Sequence, residues 1–224
     1  MARRMLAASI VVLAGVATAF IAFAQTPSTP PDPDGNAQPP APSAPAAAIP
    51  ATFPEPVAKK LYATKDVRGK PAPKLVVEKW LSTEPDTKGK LVLADFWATW
   101  CGPCRRLIPE LEAWQKEFKD DLVVVGISDE PAAKVEAFCK DKPHAYAMAI
   151  DTKATMKSAL GVQGIPHVLI IGTDNVVRWQ GFPSAAEDRL SAATIRRIIA
   201  ADKARRENES KATPAPAAGA TATP

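Results

Sequence analysis

The chain has 224 residues, with 28 Lys and Arg against 24 Asp and Glu, which gives a formal net charge of +4. This small excess, without a basic stripe interleaved with aromatic residues, does not indicate a nucleic-acid-binding protein, and we expect no nucleic-acid partner. Three cysteines are too few for a dense framework of structural disulfides, so the fold must rest on a hydrophobic core.

Residues 1–24 have the pattern of an export signal. Arg3 and Arg4 precede an uncharged stretch that ends with Ala22-Phe23-Ala24. The small-residue ending favours cleavage after Ala24, whereas the length of the stretch suits a retained membrane anchor. Either alternative places the remainder outside the cytoplasm, released into the periplasm or tethered to the inner membrane. Contact with a membrane is expected only if the anchor is retained.

Two segments of biased composition flank the rest of the chain. Residues 25–56 are mostly Pro, Ala, Ser and Thr and contain 11 of the 23 prolines, so we expect a disordered linker. Residues 209–224 are predicted to form a second disordered tail. The part between them, residues 57–208, has the length of one folded domain.

Strand and helix patterns alternate along this domain. Continuously apolar runs predict central strands at 91–97 and 122–127. Shorter strands are predicted at 75–80, 146–150, 168–171 and 176–179, the last two forming a hairpin. Helical spacing predicts helices at 101–118, 130–140 and 154–160, and a final helix that carries Leu190, Ile195, Ile198 and Ile199. This order predicts an α/β fold with a central mixed sheet flanked by helices.

Three helix details follow from single residues. Pro109 is predicted to kink the first helix, because a proline inside a helix removes a backbone hydrogen bond. Ser128 or Asp129 is predicted to cap the second helix. Ser184 with Glu187 has the spacing of a capping box for the last helix.

The motif Trp100-Cys101-Gly102-Pro103-Cys104 follows the first central strand. Two cysteines at this spacing fit a zinc half-site, a structural bridge or a redox-active dithiol. A zinc site needs further ligands, and Cys139, His144 and His167 do not supply a usual four-ligand spacing. We therefore expect no zinc site at the motif and no resident metal ion.

A redox-active pair has a physical basis here. Positions i and i+3 of a helix share a face, at a separation that a disulfide tolerates. At the start of the helix, unpaired N–H groups and the positive end of the dipole favour a thiolate, so Cys101 is the predicted nucleophile. Cys104, one turn deeper and more shielded, is the predicted resolving thiol. Pro103 suits a first helical turn, and Gly102 leaves room for a partner.

Two further residues carry alternative interpretations. Asp95 lies inside an apolar run, where an unpaired carboxylate is costly and its pKa rises, so we predict a general base for Cys104. The alternative is that Asp95 lies at a strand end and hydrogen-bonds to the backbone or to water. Cys139 is either a small buried hydrophobic residue or an accessory thiol.

The residues Ala94-Asp95-Phe96-Trp97-Ala98-Thr99-Trp100-Cys101-Gly102-Pro103-Cys104 resemble the active-site stretch of the thioredoxin superfamily. The preamble Gly69-Lys70-Pro71-Ala72-Pro73, the export signal and the insertion before Ile165 are similar to its TlpA/ResA-type branch. The resemblance implies a thioredoxin-like fold, no cofactor beyond the dithiol, and a cis-proline loop at Ile165-Pro166. It also implies a substrate-binding set, which comprises Trp100, Gly102, Pro103, Ile165 and Pro166. The chain departs from many thioredoxins in having no lysine on strand 122–128 to pair with Asp95.

The resemblance and the residues leave three functions to compare. The Gly-Pro pair resembles the reducing type, which implies a reductant for disulfides of exported proteins. Its electrons would come from a membrane donor of the DsbD/CcdA kind, and its clients would be apocytochrome c or copper-site assembly proteins. One alternative is a copper metallochaperone that uses Cys101, Cys104 and His167, although His167 also fits a strand position without chemistry. The other is a thiol peroxidase, whose usual Thr three residues before the reactive cysteine is replaced by Ala98.

Overall fold

A computed structural model describes residues 52–212, which form a six-stranded sheet with helices on both faces. The strands are β1 (Lys79–Trp80), β2 (Leu91–Trp97), β3 (Leu122–Ser128), β4 (Ala147–Ile150), β5 (His167–Ile171) and β6 (Val177–Gly181). The helices are α1 (Gly102–Glu117), α2 (Ala132–Asp141), α3 (Thr155–Leu160) and α4 (Ala192–Ala212), with a short 3₁₀ turn at Ala186–Asp188.

The order of strands across the sheet is β1-β4-β3-β2-β5-β6. β2, β3 and β4 run parallel to one another, whereas β1, β5 and β6 pair in antiparallel fashion. The central mixed sheet and the β5–β6 hairpin predicted from the sequence are therefore confirmed. The long apolar runs became β2 and β3 because the middle of the sheet is covered on both faces.

Each face of the sheet buries its own core. The first face, which we call the α1 face, carries Leu93, Trp97 and Val168 together with both motif cysteines and the apolar sides of α1, α2 and α4. The second, the α3 face, carries Phe96, Leu169 and Ile171 together with Met156 and Leu160 of α3. Successive residues of a strand point to opposite faces. The side chains of β2 and β5 therefore alternate between the core of the α1 face and the core of the α3 face.

Two predicted details of the first half change. The strand expected at 75–80 shrinks to β1, because only Lys79 and Trp80 find partners on the four-residue β4. Ser128 and Asp129 do not cap α2, whose N-cap position is occupied by Pro131. Ser128 Oγ instead accepts a hydrogen bond from the Glu130 N–H at 3.2 Å, and Asp129 pairs with Lys157 at 2.8 Å.

The final helix, α4, starts further along the chain than the predicted capping box would place it. Ser184 and Glu187 lie in the turns before α4, whereas the Ser191 Oγ accepts from the Thr194 N–H at 3.2 Å and caps the helix. The region around Glu187 is held instead by Lys59, whose Nζ lies 2.7 Å from Asp188. In α1, Pro109 lies inside a helix that continues on both sides of it.

The predicted domain boundaries shift at both ends of the described part. Residues 52–56 were assigned to the disordered linker, but Phe53 packs on the core with the Arg178 guanidinium 3.7 Å from its ring centre. At the other end α4 continues to Ala212, supported by an ion pair from Arg205 to Glu209 one turn later. The predicted signal or anchor, the linker over 25–51 and the tail over 213–224 lie outside the described residues. Within residues 52–212, no helix combines the length and apolar character needed to cross a bilayer.

The segment before β1 supports the loop that leads to Pro166. The Gln163 N–H donates to the Tyr62 carbonyl at 2.8 Å, and the Thr64 N–H donates to the Gly161 carbonyl at 2.9 Å. Tyr62 also lies beside Gly164, because a Cβ added to Gly164 would be 3.5 Å from the Cβ of Tyr62. The preamble thus braces the loop 161–166 from outside.

Gly126 of β3 provides a test of core packing. A Cβ at this position would lie 2.7 Å from Met148 Sδ, closer than a Cβ approaches another atom, and 3.1 Å from Trp97 Nε1, which is tighter than most Cβ contacts. Gly126→Ala should therefore lower the free energy of unfolding by about 1–3 kcal/mol, the usual cost of overpacking a core. Urea titration of the oxidised protein measures the change. The matched control is Gly102→Ala, whose Cβ would meet only the Arg106 guanidinium at 3.6 Å, and a loss as large as that of Gly126→Ala would contradict this explanation.

Candidate active site

Cys101 is the N-cap residue of α1, as the motif predicted. Its Sγ accepts a hydrogen bond from the Cys104 N–H at 3.2 Å, where serine or aspartate oxygens usually serve. Gly102 and Pro103 occupy the first turn, and no acidic residue lies there to oppose negative charge on the sulfur. The helix end therefore stabilises a thiolate at Cys101 through a direct N–H donor and through the dipole.

Cys101 and Cys104 are joined by a disulfide, with their Cα atoms 5.3 Å apart. Cys104 is 1% exposed, as expected for the deeper position, but Cys101 is only 3% exposed and is more shielded than the sequence suggested. The Ile165 carbonyl oxygen lies 3.7 Å from Cys101 Sγ, which accounts for part of this cover. A reacting thiolate must therefore approach along the border between the motif and the Ile165 loop.

The residues predicted to bind substrate lie around this border. Trp100, directly before Cys101, is 68% exposed and is the most exposed of the large apolar side chains in the described residues. Gly102 and Ile165 are half-buried, Pro103 is exposed and Pro166 is buried. The Ile165-Pro166 peptide bond is cis, as the family resemblance implied.

Asp95 is buried in the middle of β2, with 1% of its surface exposed. Within residues 52–212, neither of its carboxylate oxygens has a hydrogen-bond partner, so the alternative of a strand-end aspartate bonded to backbone is not what the structure shows. Burial raises the pKa of Asp95 from 3.8 to about 8. Its neighbour on β3 is Gly126, which brings no charge to compensate it.

The alternation of β2 directs Asp95 towards the cysteines. Leu93 and Trp97, two residues to either side, belong to the α1 face together with Cys104. Because side chains two apart on a strand share a face, Asp95 points into the same core. A carboxyl with a raised pKa in the dry surroundings of a thiol has the chemistry of a general base.

His167 points the other way. It pairs with Phe96 across β2 and β5, and Phe96 belongs to the α3 face. Its Nε2 lies 3.3 Å from the Gln180 amide nitrogen, and burial lowers its pKa to about 4. The ligand set of the copper metallochaperone is thus not brought together, since His167 lies across the sheet from both sulfurs. Among the residues that the structure describes, no group of three or more His, Cys, Asp or Glu could hold a metal ion.

Glu130 is a site residue that the sequence analysis missed. Its carboxylate accepts hydrogen bonds from the Thr99 N–H at 2.5 Å and the Thr99 hydroxyl at 3.0 Å, and it pairs with Lys134 at 2.6 Å. Burial alone would raise the pKa of Glu130, but these donors outweigh it and hold the pKa below its usual range. Glu130 thereby anchors the residues that lead into the motif. Its position directly after β3 was the available signal, because parallel strands end at the same edge of a sheet.

The structure also shows the surroundings of Ala98 and Cys139. Ala98 is buried three residues before Cys101, and the neighbouring Thr99 hydroxyl is bound to Glu130, so no hydroxyl is placed there as in the peroxidase pattern. Cys139 is half-buried on α2 and packs against the core, and burial raises the pKa of its thiol. A raised thiol pKa favours the unreactive, protonated form.

Comparison with known proteins identifies relatives of the same design. Residues 69–180 match the model of the AhpC/TSA family. The thioredoxin-like protein YneN of Bacillus subtilis is 37% identical over 101 residues, which are 43% of this chain and 59% of YneN. The thiol-disulfide oxidoreductase ResA of Bacillus thuringiensis is 31% identical over 124 residues, which are 52% of this chain and 72% of ResA.

A solved thioredoxin-like superfamily protein has the same fold, with a TM-score of 0.50 and 20% identity over 58% of this chain and 94% of its own. The chain spans less than two thirds of YneN and more than two thirds of ResA. The family match covers half of the chain and includes the motif and the cis-proline loop. On these grounds the chain belongs to the AhpC/TSA family and, within it, to the thioredoxin-like proteins that its Trp-Cys-Gly-Pro-Cys stretch predicted.

Proposed function

We propose that this protein is a thiol-disulfide oxidoreductase that reduces disulfides of exported client proteins. The observation that carries the proposal is the Cys101–Cys104 disulfide at the N-terminus of α1, with an unpaired, buried Asp95 on the same face of the sheet. This arrangement supplies a stabilised thiolate, a second thiol within reach, and a base.

The reaction has two exchanges. In the reduced protein the Cys101 thiolate attacks a client disulfide, so that a mixed disulfide forms and one client thiolate leaves and takes a proton from water. Asp95 then accepts the Cys104 proton, and the Cys104 thiolate attacks Cys101 Sγ. This second attack releases the other client thiolate and regenerates the Cys101–Cys104 disulfide. A dithiol donor reverses the sequence and restores the reduced pair.

Client binding is assigned to Trp100, Gly102, Pro103, Ile165 and Pro166. The exposed Trp100 offers a large apolar contact beside the nearly enclosed Cys101. The Ile165 carbonyl, 3.7 Å from Cys101 Sγ, offers a main-chain acceptor to an extended client segment. A strand bound at this border brings its own disulfide to Cys101 without a deep pocket.

The proposal also covers the direction of electron flow, the cellular location and the partner proteins. The Gly-Pro pair supports a reductant, and the N-terminal pattern supports export to the periplasm by a cleaved signal or tethering by an anchor. In that setting the electrons come from a membrane donor of the DsbD/CcdA type. The resemblance to ResA-type proteins supports clients of cytochrome c or copper-site assembly.

Replacement of the resolving thiol should trap clients. Cys104→Ser leaves the Cys101 attack intact but removes the release step, so mixed disulfides should accumulate in the native host. Non-reducing electrophoresis followed by mass spectrometry identifies them. Cys101→Ser/Cys104→Ser should trap nothing, and Cys139→Ser/Cys104→Ser should trap the same clients as Cys104→Ser alone. Adducts that depend on Cys139, or no adducts at all, would contradict the proposal.

Removal of the base should change the pH profile of the release step. Only the ionised Asp95 accepts a proton, so the wild-type rate should rise with pH through about 8. Asp95→Asn should slow release of a preformed mixed disulfide by about 10²-fold and abolish this inflection. Stopped-flow measurement between pH 5 and 9 tests the effect, and an unchanged profile would exclude Asp95 as the base.

The same substitution should alter stability with a defined sign. Between about pH 4 and 8 the folded protein keeps the Asp95 proton that the unfolded chain has lost, so the free energy of unfolding falls as pH rises. In Asp95→Asn this fall should be absent, and the variant should be the more stable protein at pH 8. Urea titrations at pH 4, 6 and 8 measure it, and parallel pH curves for the two proteins would contradict the raised pKa.

The redox equilibrium tests the assignment as a reductant. Equilibration with glutathione should place the reduction potential of the Cys101–Cys104 pair near that of thioredoxin, about −270 mV. A value near about −120 mV, typical of a strong oxidant, would reverse the proposed direction of electron flow.

A further inference from the structure

Behind Asp95 lies a group of buried polar atoms that the proposed reaction does not use. Within the described residues, Trp97 Nε1, His144 Nε2 and the Tyr146 hydroxyl have no hydrogen-bond partner, like both oxygens of Asp95. Folded proteins leave few such atoms unpaired. Their concentration on one side of a buried base therefore calls for a chemical explanation.

Gly126 brings Asp95 and Tyr146 to the same small space. A Cβ on Gly126 would lie 3.2 Å from Tyr146 Cε2, the ring carbon next to the one that carries the hydroxyl. Gly126 is the direct neighbour of Asp95 across β2 and β3, and paired strands lie about 5 Å apart. Because Gly126 has no side chain, the Tyr146 ring packs directly against the strand beside the carboxyl, close enough for the charge of Asp95 to raise the pKa of Tyr146.

His144 continues this group towards the surface. Its ring centre lies 5.6 Å from that of Tyr146 and 6.2 Å from that of Trp97. Its Nδ1 lies 3.4 Å from Glu112 Oε1, and the side chains of His144 and Glu112 are 3% and 35% exposed. A surface cavity of about 580 Å³ is lined by Glu112 and by Ala145, the residue between His144 and Tyr146. The contacts therefore run from a closed interior to open solvent.

The protonation states suit proton transfer. Burial lowers the pKa of His144, with Lys142 lowering it further and Glu112 opposing both. Burial raises the pKa of Tyr146 well above its ordinary value, and the charges of Asp95, Glu112 and Cys139 add to the rise. At neutral pH both groups are uncharged, so each holds one proton and one lone pair that can accept another.

We propose that Tyr146, His144 and Glu112 form a proton route between Asp95 and solvent, with water bridging the steps between groups that are not in contact. This inference rests on the proposed function, in which Asp95 accepts the Cys104 proton. Asp95 is enclosed, so the proton that it takes from Cys104 either stays until re-reduction returns it to Cys104 or exchanges with solvent along this route. Within residues 52–212 no hydrogen bond joins the three residues to Cys101 or Cys104, and their role is to position and pass the proton.

The transfer balances over one catalytic cycle. When Asp95 gives its proton to the Tyr146 oxygen, Tyr146 passes its own proton to His144 Nε2, and His144 passes its Nδ1 proton to the Glu112 carboxylate and so to water. Re-reduction of the disulfide needs a proton at Cys104, which enters by the reverse order. The inward step returns the His144 proton to Nδ1, so the route is reset.

Exchange of the Asp95 proton tests the route without any client. The oxidised protein is transferred into D₂O at pH 6, below the pKa of Asp95, and the infrared band of the protonated carboxyl is followed with time. Asp95→Asn identifies the band. Tyr146→Phe removes only the hydroxyl, and His144→Phe removes both ring nitrogens but retains a ring that can stack on Phe138, 5.8 Å away. Tyr62→Phe makes the same change at the only other tyrosine of the chain.

Tyr146→Phe and His144→Phe should each slow this exchange about tenfold, whereas Tyr62→Phe should match wild type. The expected factor lies below the ~10²-fold minimum for a group that acts directly on the reacting atom. Thermal unfolding of each variant separates this effect from a packing role, because loosened packing speeds exchange rather than slowing it. Tyr146→Phe should unfold close to the wild-type temperature, since the ring keeps its packing and no hydrogen bond to the protein is lost among the described residues.

Wild-type exchange in either Tyr146→Phe or His144→Phe would overturn the route. This failure differs from a failure of the proposed function, which would appear as an unchanged release rate in Asp95→Asn. The two assays share no step, because proton exchange is measured on the resting disulfide and release on the mixed disulfide.

Discussion

The position of Cys101 Sγ at the N-cap of α1 is the contact on which the site depends. The sulfur takes the Cys104 N–H that a capping oxygen would take, so the helix and the nucleophile are held by one bond. A second contact holds the chain that leads to Cys101. Glu130, at the end of β3, binds both the N–H and the hydroxyl of Thr99, two residues before the sulfur. The parallel strands β2 and β3 thus deliver the motif and its anchor to one edge of the sheet.

Asp95 has a cost for folding, and the proposed reaction gives that cost a chemical use. A carboxyl without a partner in a packed core lowers stability at neutral pH, and Gly126 opposite it offers neither a charge nor a side chain. The same isolation raises its pKa to about 8, close to the range in which a base exchanges protons with a thiol. Gly126 lets the Tyr146 ring pack close to this enclosed carboxyl. The proposed base and the proposed proton route therefore both depend on the absence of a side chain at this glycine.

The two faces of the sheet separate chemistry from support. Asp95 and His167 are both polar residues of central strands, but the pairing of His167 with Phe96 places it on the α3 face. There it meets Gln180, whose amide also donates to the Lys65 carbonyl of the preamble. His167 is thus part of the packing that braces the Pro166 loop, whereas Asp95 lies on the face of the dithiol. A shift of one residue in strand register would exchange the faces of these two residues.

The sequence by itself determined the central strands, the helix that carries the dithiol, the place of Cys101 at its start and the burial of Asp95, because apolar periodicity and helix-end electrostatics are local properties. It also indicated the family through one contiguous motif. Only the tertiary structure decided the face of His167, the enclosure of Cys101 by the Ile165 carbonyl, and the anchoring of Thr99 by Glu130. It likewise decided the contacts from Tyr146 through His144 to Glu112. These features join residues that lie far apart in the chain, and strand pairing and helix packing set their distances rather than any local pattern.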